Sequence, residues 1–338
     1  MKTIIKSVKG PPLRRVLCSF LFGAAAFCIV PANIQAGDIV WVTTTGNAIA
    51  KYYANGNAIN GKFITEPLYF IERNPEGLKG AYPGYLGPIL VSGSTLYVDT
   101  AEGLLFPRWE GIPVTYLIAT YSAGGQTGNV IKFPFSAWPF YAYNKIVPLG
   151  MALSGSNLYV ATEQGQVGSV YKIATTGGGN ASFILSGPEA PYALAVSGIL
   201  SILYVTNNAQ NSNGDFYIST YTADTGALIN ANFIQIATGG LYGLALRGNL
   251  LYVSVFSGSA PGVYTYKADT GQLIKGPLVS VNKPWGIVIQ GNTLYVASNQ
   301  DSMIYEFDLT KMPPKLSGAI KVSAPTNITV EPDTALGN

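Results

Sequence analysis

One phrase returns along this chain and limits what it can fold into. "PYALAVSGILSILYVTNN" begins at 191, "LYGLALRGNLLYVSV" at 241 and "PWGIVIQGNTLYVAS" at 284. The shared Leu-Tyr-Val stands at 96–98, 158–160, 203–205, 251–253 and 294–296, spacings of 62, 45, 48 and 43 residues, with "IVWV" at 39–42 as a sixth relative. A period of this size, holding several short strands per repeat, points to β-propeller blades. Each repeat opens on an apolar segment, turns at Gly or Asn, and continues into Leu-Tyr-Val. A polar loop then leads to a third strand such as "GVYTYKA" (262–268), and a turn leads to a fourth.

The last turn is explicit in "YTADTGALI" (221–229) and "YKADTGQLI" (266–274), where Asp-Thr-Gly separates apolar alternations. Glycine takes the positive-φ position of such a hairpin. No segment sustains a 3.6-residue apolar period, so almost no helix is expected beyond the N-terminal segment. The first repeat lacks its opening strand, and "APTNITV" (324–330) has the opening pattern with no Leu-Tyr-Val after it. The expectation is an all-β, six-bladed propeller of four-stranded antiparallel blades over 37–332. Its C-terminal strand would lie beside 39–42 and close the ring, protecting two sheet edges. A two-sheet sandwich leaves the period unexplained, and an open solenoid leaves the displaced strand unexplained.

Residues 1–36 read as a secretory signal. Lys2, Lys6, Lys9, Arg14 and Arg15 precede the uncharged apolar run "VLCSFLFGAAAFCIV" (16–30), and Ala36 offers a small residue for cleavage. The apolar run is short for a membrane span. The expected mature chain starts near Gly37, is periplasmic or extracellular, is a monomer, and carries a short tail at 333–338. All five signal charges are positive, so 15 Lys and Arg would remain against 17 Asp and Glu. The basic character therefore belongs to the signal, and nucleic acid loses its electrostatic attraction. Cys18 and Cys28 leave with the signal, removing thiol nucleophiles and Cys-based metal sites.

The 284–308 phrase resembles an NHL repeat, with its Pro-x-Gly-Ile opening, central Tyr-Val, and Asn before Ile-x-x-Phe-Asp; "YVTN" at 204–207 is the signature of the related YVTN repeat. The resemblance spans roughly 39–330, is strongest in the last three repeats, and weakens where "LLFPRWEGIPVTY" (104–116) interrupts. It implies a fold shared by binding scaffolds, lactonases and lyases, and so leaves function open.

In such propellers the first strand of each blade lines a central channel. Its entry loop and the loop leaving the second strand meet on one face. The entry slots are Gly87, Leu149, Tyr192, Tyr242, Trp285 and Thr326. Tyr192, Tyr242 and Trp285 fall in consecutive repeats, and aromatic rings at a wet mouth suit sugars, peptides or aromatic ligands. The rings could equally pack against neighbouring blades. Polar exit loops add Glu163, Glu189, Asn207 and Asn299 as candidate ligand contacts. Lactonase-like propellers hold a divalent cation with carboxylate and Asn oxygens. By that resemblance Asp99, Glu163, Glu189, Asn207 and Asn299 could bind Ca²⁺ or a similar ion, although Asn and Asp are also ordinary turn formers.

The chain has no histidine. A Ser-His-Asp triad, a His-ligated zinc and a haem His are therefore excluded. "TTGGGN" (175–180) lacks the Lys-Ser/Thr of a phosphate loop and reads as a turn. The favoured reading is an exported noncatalytic propeller without a cofactor, binding a protein, glycan or small molecule at the channel mouth. The competing reading is a metal-dependent, lactonase-like hydrolase.

Overall fold

A computed structural model describes residues 38–44, 49–54, 58–64, 88–92, 95–102, 115–122, 127–132, 146–164, 167–175, 182–186, 190–237 and 239–331. The expected signal, its expected cleavage point and the expected C-terminal tail lie outside these residues. Among the described residues every regular element is a strand.

The strands in chain order are β1 (Ile39–Thr44), β2 (Ile49–Tyr53), β3 (Ala58–Ile64), β4 (Ile89–Ser92), β5 (Thr95–Glu102), β6 (Thr115–Ser122), β7 (Thr127–Lys132) and β8 (Ile146–Ser154). They continue as β9 (Asn157–Gln164), β10 (Val167–Ala174), β11 (Ser182–Ser186), β12 (Pro191–Ser197), β13 (Ile202–Asn207), β14 (Phe216–Thr222), β15 (Leu228–Ile236) and β16 (Leu241–Arg247). The last are β17 (Leu250–Val255), β18 (Gly262–Lys267), β19 (Leu273–Ser280), β20 (Pro284–Gln290), β21 (Thr293–Ser298), β22 (Met303–Asp308), β23 (Lys315–Lys321) and β24 (Pro325–Glu331).

They pair as four-stranded antiparallel sheets, which makes the molecule an all-β propeller. Five sheets follow chain order: β4 to β7, β8 to β11, β12 to β15, β16 to β19 and β20 to β23. The remaining sheet runs β24-β1-β2-β3. Its register places Val40 opposite Val330, and Val42 opposite Ile328. Thr43 and Thr326 join their hydroxyls at 3.0 Å, and Thr326 Oγ1 donates to the Thr43 carbonyl at 3.1 Å. The displaced C-terminal strand therefore sits where the sequence pattern put it. The innermost strands β4, β8, β12, β16, β20 and β24 neighbour one another in a closed cycle.

Leu-Tyr-Val recurs because both faces of a middle strand are buried. In β13, β17 and β21 the Leu and Val side chains face one neighbouring sheet while the Tyr faces the other. The contact runs in one direction around the ring. Tyr159 packs with Leu203 and Val205, Tyr204 with Leu251 and Val253, and Tyr252 with Leu294 and Val296. Tyr295 packs with Val40 and Val42, and Trp41 with Leu96 and Val98, so the same rule carries the core across the chain ends. Each buried Leu or Val contributes about 1.5–3 kcal/mol. The Tyr204 hydroxyl donates to the Ala268 carbonyl of the next sheet at 2.7 Å. The Asp-Thr-Gly hairpins also form as read, with Gly226 at φ 68° and Gly271 at φ 70°.

Candidate functional site

The mouth is built by a repeated backbone device. The pairing of the inner strand with its neighbour slips between Pro191 and Leu194, Leu241 and Gly243, and Pro284 and Ile287. Each slip is a bulge that re-aims the residue within it. The residue before the bulge also carries a positive φ in three sheets: Ala190 at 49°, Lys283 at 42° and Ala324 at 41°. The following glycine lets the next inner strand approach. A Cβ on Gly243 would lie 2.6 Å from the Trp285 carbonyl oxygen, one on Gly286 2.7 Å from that of Thr326, and one on Gly150 2.3 Å from that of Tyr192. Ser254 Oγ further donates to the Trp285 carbonyl at 2.7 Å. With that carbonyl pinned to the preceding blade, the side chain of the same residue is fixed at the mouth.

The three predicted aromatics come together there. Ring centroids are 4.6 Å apart for Tyr192–Tyr242, 4.8 Å for Tyr242–Trp285 and 6.1 Å for Tyr192–Trp285. Trp285 Nε1 donates to Tyr192 Oη at 2.9 Å. These two residues belong to sheets separated by the β16–β19 sheet, so their side chains meet across an intervening blade. Phe256 completes the cluster, 4.8 Å from Tyr242 and 5.5 Å from Trp285, with Lys283 Nζ 5.8 Å from its centroid. Burial pushes the Tyr192 hydroxyl well above the ordinary tyrosine range. The Trp285 hydrogen bond opposes that shift and Tyr242 adds to it. The Tyr242 hydroxyl is also raised by burial. Both phenols stay neutral across the physiological range, and Tyr192 can still donate its own proton while accepting from Trp285.

Beyond the rings lies a channel cavity of about 310 Å³. It is lined by inner strands from every sheet, with Leu90, Met151, Ala195, Leu244, Ile287 and Ile328 among the apolar contacts and Asn327 and Thr329 as polar ones. Among the described residues that line it there is no Asp, Glu, Lys or Arg. Desolvating a charged ligand there would go uncompensated.

The polar candidates fare unevenly. Asn207 is 0% exposed, and its Nδ2 lies 3.0 Å from Ser219 Oγ and 3.2 Å from the Val205 carbonyl. Its assignment to the mouth is corrected on that ground, because the side chain bonds within its own blade. Its counterparts Val255 and Ser298, one residue before Phe256 and Asn299, are likewise 2% and 0% exposed. The slot that faces the mouth is one residue later. Asn208, Phe256 and Asn299 each donate a backbone N–H to the residue preceding the neighbouring bulge. Asn207 corresponds to Ser298 and Asn208 to Asn299, and a one-residue shift reverses the face in a strand. Asn208 Oδ1 accepts the Leu241 N–H at 2.7 Å, and Asn299 Nδ2 reaches the Pro325 carbonyl at 3.4 Å. Asp99 and Glu163 lie on β5 and β9, opposite Ile118 and Gly168, but their side chains fall outside the described residues, as does all of Glu189. Among the described residues no three acidic side chains gather as a metal site.

No family model matches this sequence, and no curated protein matches it. Solved structures do. A nidogen/laminin complex chain aligns at TM-score 0.61 and 13% identity, covering 88% of this chain and 99% of that one. A putative 6-phosphogluconolactonase from Bacteroides uniformis aligns at 0.55 and 13%, covering 88% and 100%. Apo AztD from Citrobacter koseri aligns at 0.51 and 13%, covering 88% and 98%. At such identities the likeness is one of fold, and the fold they share is the β-propeller.

Proposed function

We propose that this chain is an exported, noncatalytic six-bladed propeller that binds a ligand or protein partner at the channel mouth. The blade number is supported by the six innermost strands that border the cavity. The observation that carries the function is the ring cluster of Tyr192, Tyr242 and Trp285, tied across nonadjacent blades over an uncharged channel. Blade cohesion alone is already supplied by the Leu-Tyr-Val layer and does not require aromatics in this slot, since Leu149 occupies it in the β8 blade. Rigid aromatics with two donor-capable phenols suit a flat-faced ligand such as a sugar ring or a peptide side chain.

Glycan and peptide arrays probed with the parent protein and with Tyr242→Leu and Trp285→Leu test this reading. Each variant loses ring contacts worth about 0.5–1.5 kcal/mol, and Trp285→Leu also loses a hydrogen bond of similar size. Both should stay folded, yet binding should fall at least tenfold, as for an anchor residue. Parent-like binding by both variants refutes the site. Lactone hydrolysis dependent on added Ca²⁺ would favour the hydrolase reading instead.

A further inference from the structure

We propose a second binding site, in the groove between the β16–β19 and β20–β23 sheets, that takes an ammonium or guanidinium group carried on an apolar stem. The groove encloses about 570 Å³ and is independent of the aromatic mouth. Its walls are mixed: Ala260, Pro261 and Val281 with Ser259, Ser280 and Asn282 on one side, and Tyr305, Phe307 and the 51% exposed Leu316 on the other. Asp301 is the single ionisable carboxyl group among its lining residues.

Asp301 is held rigidly but only by neutral groups. Asn282 Nδ2 lies 3.0 Å from Oδ1, while Tyr305 Oη and Ser298 Oγ lie 3.1 and 3.0 Å from Oδ2. Ser298 has one hydroxyl proton, and its Oγ is closer to the Asn282 carbonyl, at 2.6 Å. The proton can serve only one of them at a time. A carboxylate offers about four acceptor positions, so Asp301 keeps capacity for another donor. Among the described residues no cation forms an ion pair with it. A carboxylate at one point of a groove with an aromatic and aliphatic wall is complementary to a cation whose stem packs on that wall. Tyr305 and Phe307, 6.3 Å apart between centroids, add ring faces that favour such a cation.

The test is an NMR titration of the full mature chain with n-butylguanidinium at fixed ionic strength, with n-butanol as the uncharged control. Saturable shifts are expected at 259–261, 282 and 301–305 with butylguanidinium, and none with butanol. Asp301→Asn should weaken binding at least tenfold. Should that variant unfold through loss of its hydrogen bonds, Leu316→Arg decides. This substitution at an exposed position leaves Asp301 intact but supplies a cation from the protein itself, and it should abolish the titration. Equal shifts with butanol, or parent-like binding by a folded variant, overturn the proposal.

Discussion

Replacing Glu306 with Gln should make the protein more stable at neutral pH and flatten its pH profile. Glu306 sits on β22 opposite Tyr295, is 1% exposed, and has no hydrogen-bond partner for Oε1. Its other oxygen lies over Gly318, where a Cβ would come within 2.6 Å. The groups facing it are the Tyr295 hydroxyl from the paired strand of its own sheet and, across the seam at the edge of β1, Asp38; Tyr52 joins the same cluster from β2. Lys51 is directed to the opposite face of β2, over the Trp41 ring at 4.5 Å. Burial first, and the Asp38 charge second, raise the Glu306 carboxyl from 4.5 to about 7. The folded state therefore holds the proton more tightly than the unfolded state. Stability from this group is complete below about pH 4.5 and is lost as pH rises through about 7. At about 1.4 kcal/mol per pH unit, the loss reaches at most about 3.5 kcal/mol. Urea unfolding at half-unit steps from pH 4.5 to 8 reads it out. The parent and Glu306→Gln should nearly coincide at the acid end. At pH 8 the variant's midpoint should be higher by about 1 M or more, given urea slopes of about 1–3 kcal/mol/M. A difference between the two proteins that stays constant over this range refutes the account.

Removing residues 324–338 should destroy cooperative folding. It strips β24 from β1, opens sheet edges and uncovers Val40, Val42 and Tyr295, so size-exclusion chromatography should show aggregation and the melting transition should fall sharply; an unchanged melt refutes ring closure through this strand. Export with cleavage after Ala36 predicts an intact mass beginning at Gly37 in secreted material, and a mass retaining residues 1–36 refutes it.

Much of the fold was legible because propeller burial is unusually regular. A strand sandwiched between sheets needs Leu, Tyr and Val at fixed offsets, and those offsets survive where the loops do not. The closing strand was legible for the same reason, since Thr326, Asn327 and Ile328 continue a pattern that residues 38–42 lack. The entry aromatics could be aligned because the opening phrase, with Pro or Leu before the slot and Gly or Ala after it, repeats in step with Leu-Tyr-Val. What could not be read was depth. Thr220, Thr265 and Glu306 occupy one slot, opposite Tyr204, Tyr252 and Tyr295. All three are buried with a side-chain oxygen left unpaired. In sequence they look like ordinary polar alternation. Asn207 misled in the opposite way, because an Asn-Asn pair hides which of the two turns outward.

The same device that fixes the aromatics makes the mouth asymmetric. Three inner strands offer the next strand's carbonyl a glycine, Gly150, Gly243 and Gly286, so the slots of Tyr192, Trp285 and Thr326 are placed by the same backbone contact. What each slot presents then depends only on its side chain. Three consecutive slots carry Tyr192, Tyr242 and Trp285, the next turns Thr326 inward to Thr43, and the slot preceding Tyr192 carries Leu149. A ligand lying across the mouth would therefore meet aromatic faces and phenol donors on one side, and the aliphatic Leu149 beside them. Such a surface selects orientation as well as shape, because turning the ligand end for end exchanges hydrogen-bonding partners for apolar ones. Leaving a ligand hydroxyl unpaired against the aliphatic side costs about 1–3 kcal/mol. A single bound orientation is expected from that difference.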